Sequence, residues 1–255
     1  MKRLVYDYLL DWTGRKDHKP LILRGARQTG KTWLVQQLAT RFPGGIAHVN
    51  LERDPDLAPL FRSNDPKHTL SLLETRLRKG LVPGQCLLFL DEVQAAPEVL
   101  GKLRWFAEEL PALHVVAAGS LLDFALADPA FSMPVGRITL GHLEPMTFAE
   151  FLLAMGEDRL VDALRNAKLH SGVDGALHER LLDLVRTHTL IGGMPAAVAS
   201  WIEHRSFARV AEIHRDLRAP VKTGEVVVNE RVIQRRSSEP LWPRVMRLRR
   251  SRGRR

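Results

Sequence analysis

The sequence predicts an α/β fold built on an open parallel sheet and followed by a small helical domain. Three observations predict it. Short apolar runs alternate with helix-periodic stretches over roughly the first 140 positions. Two of those runs end in reactive groups: a glycine-bounded loop at 25–32 and the carboxylate pair Asp91-Glu92. After Pro145 the alternation stops and helical periodicity continues alone.

A short first helix reaches about Trp12 and carries Leu4, Tyr8 and Leu9, with 14–19 as a polar connector. Pro20-Leu-Ile-Leu-Arg24 is a buried strand, followed by the 25–32 loop and a helix over 31–41. Residues 46–51 form a second strand, 54–66 a loop, and 69–81 a helix on which Leu70, Leu73 and Leu77 share a face. Pro83-Gly84 turns the chain into a strand over 86–90. Pro97 opens a helix over 98–110, with Val99, Leu100, Leu103 and Phe106 as its apolar surface. A fourth strand at 113–118 ends in Gly119-Ser120, and 138–140 is the fifth. Helices at 147–155, 158–169, 176–190 and 196–203 follow, with a break at Ile191-Gly-Gly-Met-Pro195. The expected organisation is a core at 1–141, a helical lid at 142–204 and an atypical basic tail at 205–255.

The octet Gly25-Ala26-Arg27-Gln28-Thr29-Gly30-Lys31-Thr32, between a strand and a helix start, has the context of a phosphate-binding loop. Its amides would face phosphates, helped by the positive end of the following helix. Lys31 would reach the β- and γ-phosphates, and the Thr32 hydroxyl would enter a Mg²⁺ shell. The competing reading is an ordinary Gly-rich turn with a solvated lysine. The run Leu87-Leu-Phe-Leu-Asp91-Glu92 tips the balance, because a central strand ending in two carboxylates completes a P-loop NTPase. Asp91 would bind Mg²⁺, directly or through water, and Glu92 would polarise the attacking water. Ser120 would contact that water or the γ-phosphate, or else cap a helix over 121–127. Arg137 would sense nucleotide in cis or across a subunit boundary, or else be a surface arginine.

With 45% hydrophobic residues in 255, the chain has apolar material for one α/β domain and a smaller helical unit. No apolar stretch approaches the roughly 18–20 residues needed to span a bilayer. An acid at Asp7 comes too early for a secretory signal, so the expected location is cytoplasmic. The lone Cys86 cannot form an internal disulfide and reads as a small buried side chain. The ten histidines show no metal-ligand spacing, and His178 and His188 read as helix decoration. The formal charge of +9 divides unevenly: 1–204 carries 23 basic against 24 acidic residues, and 205–255 carries 15 against 5. A nucleic-acid groove across the body therefore gains no support from the overall charge.

Taken in order, these features resemble a known family. They are Leu-Arg-Gly-Ala-Arg-Gln-Thr-Gly-Lys-Thr at 23–32, Asn50-Leu-Glu52, Leu-Phe-Leu-Asp-Glu-Val-Gln at 88–94, Ala-Gly-Ser-Leu-Leu at 118–122 and Pro-Val-Gly-Arg at 134–137. Leu143-Glu-Pro-Met-Thr-Phe-Ala-Glu-Phe-Leu152 and Ile191-Gly-Gly-Met-Pro195 extend the set. Over 1–204 the chain resembles the AAA-type ATPases that carry a C-terminal DUF4143 domain. The resemblance implies ATP as the nucleotide, Mg²⁺ as the metal and sheet order 5-1-4-3-2. It also implies phosphate-loop roles for Gly25, Gly30, Lys31 and Thr32, and acidic-motif roles for Asp91 and Glu92. Gln94 falls where the family carries glutamine, and Ser120 and Arg137 match its polar residue and arginine.

Near residue 205 the pattern departs from the family. The tail shows no clear amphipathic period, and 14 of its 51 residues are arginine, as an out-of-frame reading of a GC-rich gene tends to give. The expectation is a truncated or frame-disrupted member. A basic tail that binds nucleic acid and a solvated tail with no partner are the rivals. The expected activity is Mg²⁺-dependent ATP hydrolysis coupled to movement of the lid, with self-association if Arg137 acts between subunits and an unidentified protein partner. The alternative is a nucleotide-dependent switch with little turnover. A small-molecule kinase would share the loop, but Glu92 beside Asp91 favours water as the acceptor.

Overall fold

Five strands pair in parallel: β1 (Leu21–Arg24), β2 (Ile46–Asn50), β3 (Leu87–Asp91), β4 (His114–Ala118) and β5 (Thr139–His142). The computed structural model describes residues 1–120, 122, 136–167 and 174–218. The strands lie in the order β2-β3-β4-β1-β5, which is the order 5-1-4-3-2 read from the opposite edge. In register, Leu21 faces Val116 on one side and Thr139 on the other, while Asn50 faces Asp91. The carboxyl ends of the strands therefore share one edge of the sheet, where ligands bind in open α/β folds.

Side chains alternate between two buried faces. Ile22, Val49, Leu88, Leu90, Val115 and Ala117 join the cluster under α3 (Pro66–Leu77) and α4 (Glu98–Glu109). Leu21, Leu23, Leu87, Phe89, Val116 and Ala118 join the one under α1 (Val5–Gly14) and α2 (Lys31–Ala39). Burial on both sides explains why β3 and β4 read as unbroken apolar runs. Cys86 lies buried beside this core, with its Sγ 3.6 Å from the Gly80 carbonyl.

Capping shifts one helix from its expected position. Asp65 accepts from the N–H groups of Lys67 and His68 at 2.9 and 3.0 Å, with Pro66 in the first turn. Helix α3 thus starts at residue 66 and ends before Arg78, which is left-handed at φ 51°. The expected loop at 54–66 contains a 3₁₀ helix, Pro55–Phe61, that buries Leu57 and Phe61.

The helical region contains α5 (Phe148–Ala154), α6 (Asp158–Asn166), α7 (Gly175–Ile191) and α8 (Pro195–His204). Thr147 and Glu150 form a capping box that fixes the start of α5. His188 does more than decorate α7: its Nε2 lies 3.3 Å from the Met146 carbonyl, and its ring rests against Phe148 and Phe151. The chain divides into two compact units, 1–210 and 211–255.

Among the described residues a further helix, α9 (Phe207–Arg218), corrects the expectation that no amphipathic period follows residue 205. Phe207, Val210, Ile213 and Leu217 keep helical spacing, but the arginine-rich sequence beyond swamps it when the tail is averaged. Val210 is buried, and the Phe207 ring lies 4.5 Å from that of Trp201. The rest of the tail, the helix expected at 121–127 apart from Leu122, and the end of the 158–169 helix lie outside the described residues.

His114, at the start of β4, gives the fold a pH dependence. Its ring stacks on His18 at 3.8 Å, with Trp12 and Phe42 edge-on. Nε2 lies 3.1 Å from the Thr13 carbonyl. A carbonyl cannot donate, so Nε2 carries the hydrogen, and an added proton must go to Nδ1, which is buried without a partner among the described residues. Burial, then the neighbouring His18, push the pKa down to about 4, against a weaker opposing effect of the Thr13 bond. The unfolded chain therefore binds this proton more readily than the folded one. Stability should fall as pH drops from about 6.5 through 4, by up to about 3 kcal/mol from this group. Urea unfolding between pH 4 and 7 checks this, with His114→Phe expected to flatten the slope.

Candidate functional site

The loop after β1 depends on backbone geometry that few residues adopt. Gly25 sits at φ 146° against the backbone of Leu143, where a Cβ would run into the carbonyl oxygen. Gln28 is left-handed at φ 63°, and Gly30 at φ 92° precedes the first turn of α2. The loop is tied inward through its carbonyls. Lys31 Nζ donates to the oxygens of Gly25 and Ala26 at 2.8 and 2.7 Å, and Thr29 Oγ1 donates to Ala26 at 2.9 Å. An ammonium has three donors, so two are committed to the loop.

Lys31 is buried, and its pKa is lowered chiefly by that burial. The carboxylates of Glu92 and Asp91 oppose the shift, and Arg27 adds to it. Burial leaves the ammonium poorly hydrated beside a helix N-terminus, a setting that favours an incoming anion.

β3 delivers Asp91 to the same edge, 3% exposed. Its Oδ2 accepts from Thr32 Oγ1 at 3.0 Å and lies 3.1 Å from His48 Nε2, while Oδ1 accepts the Glu92 N–H at 3.1 Å. Glu92 is left-handed at φ 51°, a strained conformation for a residue with a side chain. Gln94 Nε2 donates to its Oε2 at 2.5 Å. The other amide atom, Gln94 Oε1, is buried without a partner among the described residues and closes on Gly119. A Cβ at Gly119 would press on this amide and on the Leu122 side chain, and both would have to shift to admit it. Ser120 Oγ lies 3.4 Å from Arg27 Nε, linking the end of β4 to the loop.

One expected residue is not brought to this edge within the chain. Arg137 lies two positions before β5, whose first residue pairs with Leu21 at the amino end of β1. Its Nε bonds Glu108 Oε1 at 2.9 Å, near the end of α4, and Arg104 shares that oxygen at 3.0 Å. The strands rise about 3.3 Å per residue, which puts Arg137 on the order of 20 Å from the loop along the sheet. Sensing nucleotide in cis does not fit this placement.

Two contributors carried no legible signal. His48 reaches Asp91 because β2 lies beside β3, a pairing that single-chain periodicity does not reveal. Arg3, far from either motif, donates to the Thr29 carbonyl at 2.7 Å.

Thr32 and Asp91 offer adjacent oxygen donors, which suits Mg²⁺. That ion takes one or two protein carboxylates and fills its shell with water and phosphate oxygens. Among the described residues no group of three or more His, Cys, Asp or Glu side chains forms an all-protein metal cage. Residues 17–152 match the AAA domain. The chain belongs to the AAA domain family. Membership implies nucleotide binding and ATP hydrolysis, typically with Mg²⁺.

Several solved structures are similar to this AAA domain. Drosophila ORC bound to DNA has 14% identity and a TM-score of 0.42, covering 85% of this chain and 67% of that one. C. elegans PCH-2 has 11% identity and a TM-score of 0.40, with coverage of 82% and 67%. AMPPCP-bound DnaA from Aquifex aeolicus has 14% identity and a TM-score of 0.43, with coverage of 84% and 65%. No curated protein matches the chain. No helix among the described residues is long and apolar enough to cross a membrane.

Proposed function

We propose that this AAA domain binds ATP at the 25–32 loop and hydrolyses it with Mg²⁺, coupling hydrolysis to movement of the helical region 142–204 as a lid. The observation that carries the reading is the 3.0 Å bond from Thr32 to Asp91, which ties phosphate loop and acidic strand into one constellation. In this reading the amides of Gly25, Ala26, Arg27, Gln28, Thr29 and Gly30 cradle the phosphates, and Lys31 neutralises the β- and γ-oxygens. Thr32 and Asp91 would hold Mg²⁺, which would supply charge neutralisation to the phosphates. Glu92 accepts a proton from the attacking water, and Ser120 orients the water or the γ-phosphate. A buried single cysteine is compatible with a cytoplasmic setting.

Membership of the DUF4143-containing family is part of the proposal. Two stretches that carry the resemblance meet in the helical region: Met146 N–H donates to Gly193 O at 2.6 Å. Gly193 is packed so closely on Met146 that a Cβ would collide with its backbone.

A slow nucleotide switch is the second reading, and the Gln94 bond to Glu92 favours it by occupying one oxygen of the proposed base. Calorimetric titration of the purified chain with ATP·Mg²⁺, run beside phosphate release, separates the two. Turnover of bound ATP supports the enzyme, tight binding without release supports the switch, and absence of binding overturns both.

Arg137 is proposed to act across a subunit boundary, its guanidinium exchanging Glu108 for the nucleotide of a neighbouring protomer. Specific activity should then rise with protomer concentration, and Arg137→Ala should flatten that rise without weakening ATP binding by dilute chain. Activity independent of concentration in the unaltered chain would contradict the role.

A further inference from the structure

Arg3 is buried, 6% exposed, and its guanidinium bonds three separated parts of the chain. Nη1 donates to the carbonyl of Thr29 in the phosphate loop at 2.7 Å. Nη2 donates to the carbonyl of Glu144, between β5 and α5, at 2.6 Å. Nε donates to Oε1 of Glu150, in the first turn of α5, at 3.1 Å. Glu150 is itself 4% exposed and fully engaged. Its Oε1 also accepts the Leu4 N–H and its Oε2 the Thr147 N–H, both at 2.8 Å.

We propose that Arg3 is a positioning residue that couples the conformation of the phosphate loop to the first helix of the helical region. The guanidinium is planar and rigid, so its donors cannot be re-aimed one at a time. Thr29 immediately precedes Gly30, whose left-handed backbone sets the start of α2. A shift of the Thr29 carbonyl as the loop closes on phosphate must be followed by the guanidinium. The guanidinium then carries with it the Glu144 carbonyl and the Glu150 carboxylate, which is also half of the cap of α5. A buried ion pair is a poor device for stability alone, because desolvation offsets most of the attraction. Bridging three separate parts of the chain is a use that an apolar side chain could not serve. Coupling of this kind is reciprocal: whatever the loop's ligand does to α5, the state of α5 does to the ligand's affinity.

The proposal rests on the reading of 25–32 as a phosphate loop, so ATP binding is measured separately in each variant. The test is amide hydrogen exchange over 147–155 with and without ATP·Mg²⁺, in the unaltered chain, in Arg3→Lys and in Arg3→Met/Glu150→Met. Arg3→Lys keeps the ion pair with Glu150 but cannot span all three acceptors. The double variant removes both buried charges together, so that neither is left unpaired, and its folding is read from its own thermal melt.

The unaltered chain should show exchange in 147–155 that changes on ATP binding. Both variants should melt cooperatively and bind ATP yet lose that response. A purely structural Arg3 predicts that the lysine variant keeps the response. Persistence of the response in a folded, ATP-binding variant overturns the coupling, as does its absence from the ATP-bound unaltered chain. Failure of the unaltered chain to bind ATP overturns the loop reading instead.

Discussion

Lys31→Ala is expected to lower ATP hydrolysis by at least about 10²-fold, the loss that follows removal of one preorganised donor to developing charge. The effect should exceed that of a surface lysine because of where the ammonium sits. Burial lowers its pKa, so water does little to stabilise its charge, while Asp91 and Glu92 partly restore it. A phosphate oxygen would therefore meet a poorly hydrated cation held in place by the carbonyls of Gly25 and Ala26. ATP affinity should also weaken, by about 10- to 100-fold for a lost hydrogen bond between charged groups. Titration with ATP·Mg²⁺ checks the second figure and phosphate release the first. Unchanged affinity would show that the ammonium does not meet the phosphates.

Glu92→Gln should lower hydrolysis by about 10²- to 10⁴-fold, the range for loss of a positioned general base, without weakening ATP binding. The substitution is nearly isosteric, and a glutamine oxygen can still accept from Gln94 Nε2. What disappears is the capacity to take a proton from water. The split between intact binding and lost turnover distinguishes this residue from Lys31. If Glu92→Gln bound ATP weakly, its carboxylate would be part of the nucleotide pocket rather than the base.

The elements that the sequence made legible are those whose burial or chemistry is local. β3 and β4 announce themselves as apolar runs because both sheet faces are covered; Lys31 and Thr32 open the helix after the β1 loop, and Asp91 and Glu92 lie at the end of β3, where motif spacing is short. Arg3 and His48 were invisible because their partners are set by sheet order and by packing of α5, not by neighbours in the chain. Helix α3 began earlier than its apolar period suggested because Asp65 and Pro66 start it, and a cap contributes no hydrophobic spacing. Arg137 shows the converse: a recognisable motif residue whose location follows from strand direction, and which the sequence alone left open between sensing in cis, sensing across a subunit boundary and a plain surface arginine.

The most direct test of the central claim is Mg²⁺-dependent release of phosphate from ATP by the purified chain, with Lys31→Ala and Glu92→Gln beside it and folding verified by thermal melting. The account predicts turnover by the unaltered chain that is lost on chelation and in both variants, with ATP binding retained in Glu92→Gln. Phosphate release that persisted in both folded variants, or ATP binding by the unaltered chain with no release at any protomer concentration, would contradict it.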